Sequence, residues 1–315
     1  MKKILLLGGT GFIGSSIAEQ LVRRGDAVII PTRNRERARH LLTLPTVELV
    51  NADVHDGAQL DSLVRKQDAV INLIGILHGD FERVHVTLPR AVAEACARHR
   101  VPRLIHMSAL NAGAGDRAPS AYLQSRGRGE AAVRAVADQT PSLKLTIFQP
   151  SVVFGQDDRF LNLFADLLRF SPFVPLGSPH AQFQPVWVED VARAMVMCLD
   201  NPATYGMTYP LVGPDVVTLR ELLERVMAAT GHRRLILPLG PALSGLQALI
   251  FEHLPGKLIT RDNVRSMSIP NTASMPFPAV FGHAHSLGDI APAYLSASLG
   301  RARYSALRSA AGRKS

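Results

Sequence analysis

The stretch that decides the fold is Gly8-Gly9-Thr10-Gly11-Phe12-Ile13-Gly14, which directly follows the apolar run Lys3–Leu7. A continuous apolar run of this length is typical of a strand that is buried on both faces. The glycines allow a tight turn, a close approach of the backbone to a phosphate, and close packing of the next helix on the strand. Residues 15–24 carry apolar side chains at helical spacing. This order predicts a pyrophosphate site at the positively polarised start of that helix.

Strand and helix patterns continue to alternate after the glycine loop. Apolar runs predict strands at residues 27–31, 47–50, 69–74, 103–107 and 143–148, and helical spacing predicts helices at 60–66, 89–99 and 125–137. Alternating β and α segments indicate a parallel sheet with helices on both faces. The predicted fold class is therefore α/β, a Rossmann doubly wound parallel sheet with a smaller C-terminal substrate lobe.

The composition of the sequence changes after residue 150, where prolines and glycines become more frequent. We predict a dinucleotide-binding core at residues 1–150, and a mixed region at 151–300 that completes the sheet and forms the substrate lobe. Residues 301–315 form a basic, flexible tail in this prediction. Within the lobe, residues 219–230 have the pattern of an amphipathic helix, whereas residues 241–257 are apolar without a clean period.

Composition narrows the class of protein. The two cysteines, Cys96 and Cys198, lie far apart without metal-ligand spacing, so we expect no metal site and a reducing compartment. No apolar stretch reaches the length of about 18 residues that a membrane span needs. The net charge is +9. The basic residues do not alternate with aromatic residues, which argues against binding of nucleic acid. We expect a cytoplasmic protein, with peripheral contact to the inner membrane left open.

The end of the second predicted strand indicates which dinucleotide binds. Proteins that prefer NAD usually carry an acidic residue there, which binds the ribose 2′-hydroxyl. This chain has Thr32-Arg33-Asn34-Arg35 instead. Arginine binds a 2′-phosphate through charge-assisted hydrogen bonds. The sequence therefore favours NADP(H), with Arg33 as the first candidate for the 2′-phosphate and Arg35 as the second, and NAD(H) remains the alternative cofactor. Asp53 could bind the adenine amino group or simply cap its loop.

At this point the chain resembles the extended short-chain dehydrogenase/reductase superfamily, the NAD-dependent epimerase/dehydratase proteins. The likeness is carried by the glycine loop together with Asn51-Ala52-Asp53, Ser108, Tyr122-Leu123-Gln124-Ser125-Arg126, the stretch from Gln149 to Gly155, and that from Val186 to Ala192. The resemblance implies that the cofactor is contacted by Gly8, Gly9, Thr10, Gly11, Phe12, Ile13, Gly14, Arg33, Arg35, Asp53, Val54, Leu73, Ile74, Gly75, Gln149, Pro150, Ser151 and Val152.

Within that superfamily the chain is most similar to an atypical subgroup, named for the NADPH-binding accessory subunit of mitochondrial respiratory complex I. The supporting segments are Asn72-Leu73-Ile74-Gly75-Ile76-Leu77, Asp158-Arg159-Phe160-Leu161-Asn162, Gln184-Pro185-Val186, and the stretch from Leu258 to Val264. This resemblance implies association with a respiratory complex as one kind of partner.

The catalytic pair of the superfamily is altered in this chain. In its active members a Tyr-x-x-x-Lys pair transfers protons and a serine orients the substrate carbonyl. The resemblance implies these roles for Tyr122 and Ser108, but the fourth residue after the tyrosine is Arg126. The spacing still places both side chains on one helix face. The permanent positive charge of an arginine favours the tyrosinate form of Tyr122. Its planar guanidinium is longer than a lysine ammonium and is expected to contact the nicotinamide ribose less well. A packing role for Tyr122 is the structural alternative.

These features leave three functional hypotheses. The first is an NADP(H)-dependent oxidoreductase or epimerase that acts on a small, quinone-like or lipid-like substrate, and the sequence leans toward this enzyme. The second is a non-catalytic nucleotide-binding accessory or assembly protein of an NADH:quinone oxidoreductase-type complex. The third is peripheral membrane association through residues 241–257 and the basic tail.

Two smaller predictions concern residues outside the motifs. His78, His85 and His106 lack a metal-ligand pattern, so we interpret them as core or surface histidines. Asp190 precedes a predicted helix and is interpreted as its N-cap.

Overall fold

The computed structural model describes residues 1–240 and 260–296, so the apolar segment 241–257 and the predicted tail 301–315 lie outside the described residues. The chain forms two compact units. Unit 1 comprises Met1–Ser151, Val188–Val212 and Ala273–His283, and unit 2 comprises the described residues of Val152–Trp187, Gly213–Thr272 and Ala284–Ser315.

The elements are numbered in chain order. The strands are β1 (Lys3–Leu7), β2 (Ala27–Thr32), β3 (Val47–Asn51), β4 (Ala69–Asn72), β5 (Arg103–Met107), β6 (Lys144–Pro150), β7 (Val153–Phe154), β8 (Phe173–Leu176), β9 (Gln182–Phe183), β10 (Val186–Trp187), β11 (Thr208–Leu211), β12 (Val217–Thr218) and β13 (Leu235–Pro238). The α-helices are α1 (Phe12–Arg23), α2 (Gly57–Val64), α3 (Leu88–Arg98), α4 (Ala121–Asp138), α5 (Leu161–Phe170), α6 (Val188–Cys198), α7 (Leu219–Thr230) and α8 (Arg261–Ser266).

Unit 1 is built on a seven-stranded sheet in the order β11-β6-β5-β4-β1-β2-β3, and every pairing in it is parallel. The chain starts in the middle, runs outward to β3, and then returns to the other side of β1. This reversal places a crevice at the carboxyl ends of β1 and β4, where ligands bind in open α/β sheets. The predicted α/β doubly wound fold is thereby confirmed.

Helix packing explains why the strands are almost wholly apolar. One side of the sheet is covered by α2, α3 and α4, whose inward residues form a core with strand residues such as Leu5, Val70 and Leu104. Val92 and Cys96 on α3 belong to the same core and are fully buried. Burial of the free Cys96 thiol raises its pKa to about 12, as expected for a packing cysteine.

Helix α4 begins earlier than the sequence pattern predicts. Ser120 caps it by accepting a hydrogen bond from the Leu123 amide at 3.2 Å, so the helix begins at Ala121 rather than near residue 125. The apolar spacing could not show this start, because the first turns of α4 are mostly polar. Tyr122 consequently lies in the first turn of the helix, and Arg126 lies one turn later.

Helix α6 requires a correction. The prediction that Asp190 is an N-cap is wrong, because the helix already begins at Val188. Asp190 therefore lies in the first turn, where it is fully buried and its Oδ1 is 2.6 Å from Arg193 Nη1. An acidic residue is stabilised there by the helix dipole as well as by this ion pair.

Unit 2 contains short paired strands and a separate apolar core. β7 pairs with β10 and β8 with β13 in parallel, and β9 pairs with β12 antiparallel. The core brings together side chains of α5, α7 and residues 284–295, including Leu161, Leu222 and Leu295. The predicted helix at 219–230 is confirmed, and a capping box of Thr218 and Glu221 begins it. Among the described residues no helix is both long enough and apolar enough to cross a membrane.

Candidate functional site

The glycine loop forms a cradle between β1 and α1. Gly8 has a left-handed φ of +83°, which favours glycine. A Cβ on Gly14 would overlap the Gly8 carbonyl oxygen and lie 2.6 Å from the Gly9 Cα, so α1 packs on the turn at a distance that only glycine permits. Gly11 is the N-cap and has no side chain to cap the first turn. The first-turn amides are therefore left to a ligand, and the cradle fits a pyrophosphate.

The remaining loop residues flank this cradle. Thr10, Phe12 and Ile13 are half-buried, and Gly11 is exposed. A Cβ on Gly9 would lie 2.9 Å from the Ile30 side chain, so the loop also packs closely against β2. These contacts fix the backbone in place before any ligand binds.

Arg33 and Arg35 lie just beyond the carboxyl end of β2 and are both exposed. The turn that carries them is held by the Asn34 amide, which donates to Thr32 Oγ1 at 3.1 Å. Within the described part of the chain, neither arginine forms an ion pair with a carboxylate. Both guanidinium groups are thus available to an anion beside the glycine cradle.

Asp53 and Val54 follow β3 on the same edge of the sheet. Asp53 Oδ1 accepts from the His55 amide at 3.0 Å, which is the capping role left open by the sequence. Val54 is half-buried. Burial, followed by the charge of Arg83, lowers the pKa of His55, and Arg33 acts in the same direction. The charges of Asp53 and Asp80 act in the opposite direction.

Arg126 lies across the carboxyl ends of β4 and β5. Its Nη1 donates to the Met107 carbonyl at 3.2 Å and to the Ile74 carbonyl at 3.5 Å. The side chain is buried, and its Nε has no hydrogen-bond partner. A Cβ on Gly75 would overlap Nη2 and lie 2.7 Å from Cζ. The guanidinium is thus packed against the loop after β4, and its Nη1 donates to backbone carbonyls.

Tyr122 and Ser108 are brought to the same end of the sheet. The Tyr122 ring is half-buried, and the Arg126 Cζ lies 5.5 Å from its centroid. Ser108 directly follows Met107, and its amide donates to the Phe148 carbonyl at 2.7 Å. The Ser108 side chain is buried, and its Oγ has no hydrogen-bond partner among the described residues. A buried hydroxyl without a partner is costly, which makes Ser108 a candidate for contacting a ligand.

The last group of predicted residues follows β6. Gln149 Nε2 donates to Glu130 Oε1 at 2.8 Å, and the Pro150 carbonyl accepts from the Leu110 amide at 3.0 Å. The Ser151 amide donates to the Leu211 carbonyl at 2.9 Å and continues the pairing with β11. Val152 is the first residue of unit 2.

Sequence reasoning missed the position of His85 beside Tyr122. It lies in a π-helical turn, Glu82–Thr87, that runs directly into α3. Its ring is buried and lies 5.5 Å from the Tyr122 ring in an edge-to-face arrangement. Burial, followed by the charges of Arg126 and His106, lowers its pKa to about 3. The residue type alone gave no signal for this position, because a π turn has no sequence signature comparable to a glycine loop.

The histidine predictions otherwise hold. His85 and His106 are core residues, each 1% exposed, and His78 is exposed. In the part of the chain that the structure describes, no cluster of three or more His, Cys, Asp or Glu side chains could hold a metal ion.

Comparisons with known proteins show which sequences and folds this chain is similar to. The sequence model of the NAD dependent epimerase/dehydratase family matches residues 4–209. The chain is 36% identical over 241 residues to the mouse protein named NADH dehydrogenase [ubiquinone] 1 alpha subcomplex subunit 9, mitochondrial, with 73% of this chain and 62% of the mouse protein covered. It is 32% identical over 236 residues to the mitochondrial NADH-ubiquinone oxidoreductase 40 kDa subunit of Neurospora crassa, with coverage of 73% and 60%.

The chain thus spans about three fifths of the length of these relatives. Among solved structures, the Bordetella bronchiseptica enzyme WbmH in complex with NAD+ superposes with a TM-score of 0.64 at 24% identity. That match covers 76% of this chain and 86% of the enzyme. It supports the fold of the sheet and helices.

Proposed function

Because the chain belongs to the NAD-dependent epimerase/dehydratase family, a nucleotide-binding family, we propose that it binds NADP(H) and serves as an accessory protein of an NADH:quinone oxidoreductase-type respiratory complex. In this role the nucleotide is retained as a ligand that stabilises the folded chain by binding the native state only. The observation that carries the proposal is the buried guanidinium of Arg126, whose Nη1 is bonded to two backbone carbonyls.

The nucleotide fits the residues of unit 1. The first-turn amides of α1 would hold the pyrophosphate, because Gly11 leaves them without a side-chain cap. Arg33 and Arg35 would hold a 2′-phosphate, since both are exposed and lack an ion-pair partner among the described residues. A carboxylate, which would favour the 2′-hydroxyl of NAD(H), is absent from positions 32–35. A bound nicotinamide would supply hydride chemistry near Ser108 and Tyr122.

The contacts of Arg126 support the accessory role. A group that assists proton transfer at Tyr122 needs donors within hydrogen-bond reach of the reacting groups. Arg126 instead directs Nη1 to Ile74 and Met107, and packs Nη2 against Gly75. We infer that Arg126 holds the ends of β4 and β5 together under the nucleotide. The similarity to subunits of mitochondrial NADH dehydrogenases supports a respiratory partner at the periphery of the inner membrane.

The test combines three measurements on the full chain. We expect NADPH at about 100 times its Kd to stabilise the protein by about 2.7 kcal/mol, and NADH at the same concentration to stabilise it less. We expect a pull-down from membranes of the source organism to recover identifiable subunits of an NADH:quinone oxidoreductase. Fractionation should place the chain with that complex. Recovery of no respiratory subunit would overturn the accessory role, and the absence of stabilisation by either nucleotide would overturn the nucleotide site.

A second candidate function is an NADP(H)-dependent oxidoreductase or epimerase, and Ser108 favours it. Its buried Oγ has no partner among the described residues, so it could donate to a substrate oxygen. Tyr122 would then give or take a proton at that oxygen, with the Arg126 guanidinium 5.5 Å from the centroid of its ring. Hydride transfer with a panel of carbonyl, sugar and quinone substrates tests this candidate. A rate that Tyr122→Phe abolishes would favour it over the accessory role.

A further inference from the structure

The loop after β4, residues 73–77, is held by side chains from three different elements. The Ile74 amide donates to Asn72 Oδ1 at 3.1 Å, and the Ile74 carbonyl accepts from Arg126. The Ile76 amide donates to His85 Nε2 at 3.0 Å. The same loop packs on the glycine cradle, since a Cβ on Gly8 would lie 3.3 Å from the Ile74 nitrogen. The position of residues 73–77 therefore affects the floor of the nucleotide site.

The hydrogen bonds of His85 fix its tautomer. A backbone amide can only donate, so Nε2 accepts from Ile76 and carries no proton. The proton is then on Nδ1, which donates to Ser125 Oγ at 2.8 Å. Ser125 Oγ in turn donates to the Tyr122 carbonyl at 2.7 Å. A directed chain of three hydrogen bonds thus runs from Ile76 through His85 and Ser125 to Tyr122.

Backbone packing explains why the imidazole can reach both elements. A Cβ on Gly129 would overlap the His85 carbonyl oxygen, so α4 contacts the π turn at the backbone. The wider π turn points the His85 ring toward α4, and such turns occur often at functional sites. Both ring nitrogens are satisfied although the side chain is buried. A phenyl ring of similar size would fill the space and leave the Ile76 amide and the Ser125 hydroxyl without these partners.

We propose that His85 is a positioning residue for the nicotinamide half of the nucleotide, an inference that rests on the proposed NADP(H) site. His85 ties the loop at Ile76 to the first turn of α4 at Tyr122, while Arg126 ties the same loop at Ile74. The two ties set the distance between the loop and the Tyr122 ring. The adenosine half depends on other elements, namely α1 and the ends of β2 and β3, and is not held by His85.

The experiment compares the whole nucleotide with its adenosine half. Binding of NADPH and of 2′,5′-ADP is measured by calorimetry for the wild-type chain and for His85→Phe. We expect the NADPH Kd of His85→Phe to rise about tenfold, in line with the loss of a buried hydrogen bond and the amide it leaves unpaired, and the 2′,5′-ADP Kd to stay within about twofold. His85→Gln should restore most of the NADPH affinity, because its amide can accept from Ile76 and donate to Ser125.

A matched control is His99→Phe. His99 also hydrogen-bonds through Nε2, to Asp61 Oδ2 at 2.7 Å, but it lies at the opposite end of α3. This variant should bind both ligands as the wild type does. If His85→Phe does not fold, Ser125→Ala removes the same link in a residue type that favours helices, and its NADPH Kd should rise about threefold.

The results distinguish the positioning role of His85 from the nucleotide site itself. Equal weakening of both ligands, or unchanged NADPH binding in folded His85→Phe and Ser125→Ala, would overturn the positioning role while leaving the nucleotide site intact. Failure of the wild-type chain to bind either ligand would overturn the proposed function itself.

Discussion

The guanidinium of Arg126 lies in the space that a side chain at Gly75 would need. A Cβ built on Gly75 would overlap Nη2 and lie 2.7 Å from Cζ. The arginine at this helix position and the glycine after β4 are therefore a matched pair, since the guanidinium in this position leaves no room for a Cβ at residue 75. The pairing explains how the longer, planar side chain of Arg126 is accommodated at the end of the sheet and why its Nη1 reaches the carbonyls of Ile74 and Met107.

Gly75→Ala tests this pairing. We expect the variant to lose about 1–3 kcal/mol of unfolding free energy, because the added methyl group must displace a buried guanidinium. NADPH binding should weaken as well, since the displaced side chain would move into the crevice. Chemical denaturation and calorimetry measure both effects.

The control for that variant is Gly57→Ala. Gly57 begins α2, and a Cβ on it would meet nothing within 4 Å. We expect its unfolding free energy to change by less than about 0.5 kcal/mol or to increase slightly. A Gly75→Ala protein as stable as the wild type would show that Arg126 can leave its position at no cost, which contradicts the matched pair.

Arg126→Lys distinguishes an accessory protein from a weakened enzyme. Lysine keeps the charge but has one ammonium group instead of a planar fork, so we expect a loss of about 1–3 kcal/mol in unfolding free energy from the missing carbonyl contacts. For an accessory protein, hydride transfer should stay absent in both forms. A rise in the single-turnover rate of hydride transfer from bound NADPH would show that the arginine suppresses catalysis and would favour the second candidate function.

The fold and the cradle could be predicted from sequence because each depends on local pattern. The apolar run Lys3–Leu7 and the glycines after it fix a strand, a turn and a helix start within a short stretch of chain. The strand reversal between β3 and β4 then follows from connection rules. Ser108, Tyr122 and Arg126 could be singled out through a family resemblance, and the parallel strands carry them to one edge of the sheet.

The roles of Arg126 and His85 could not be predicted in the same way. They depend on contacts between residues that are distant in sequence, such as Arg126 with Gly75 and His85 with Ile76 and Ser125. The start of α4 was also misplaced, because a single capping serine decides it while the apolar spacing begins later. Asp190 was misassigned for a related reason, since the helix begins two residues before it and the apolar run Val186-Trp187-Val188 does not mark where the strand ends and the helix begins.

Arg33→Ala tests the choice of nucleotide. Loss of a charge-assisted hydrogen bond to a 2′-phosphate should raise the Kd for NADPH about tenfold to a hundredfold, and the Kd for NADH should change little. The difference between the two nucleotides is the informative quantity, because a general loss of stability would weaken both. Calorimetric titration of each nucleotide at fixed ionic strength measures it.

Arg65→Ala is the matched control for Arg33→Ala. Arg65 is also exposed, but it follows α2 near the amino end of the sheet, where Asp68 Oδ2 accepts from the Lys3 amide. This variant removes the same charge from the opposite edge and should leave both Kd values unchanged. Equal losses for NADPH in the two variants would mean that net charge, rather than a 2′-phosphate site at Arg33, governs affinity.

The two buried histidines predict a specific acid sensitivity. Burial, with the Arg126 charge as the next cause, lowers the pKa of His85 and of His106 from 6.5 to about 3. Between those values the unfolded chain binds protons that the folded chain does not, so the unfolding free energy decreases as the pH falls. Each histidine contributes a slope of up to about 1.4 kcal/mol per pH unit. The loss should begin near pH 6.5, above the range in which carboxylates titrate.

Denaturation at a series of pH values between about 6.5 and 4.5 measures this slope, and His85→Gln identifies its source. Glutamine keeps the hydrogen bonds to Ile76 and Ser125 but does not titrate, so the variant should lose the contribution of His85, up to about 1.4 kcal/mol per pH unit, while its stability near neutral pH changes little. Nucleotide affinity measured near neutral pH should be retained as well, because His85 is already neutral there. An unchanged slope in His85→Gln would mean that the imidazole takes up its proton in the folded state, which is incompatible with Nε2 accepting from the Ile76 amide.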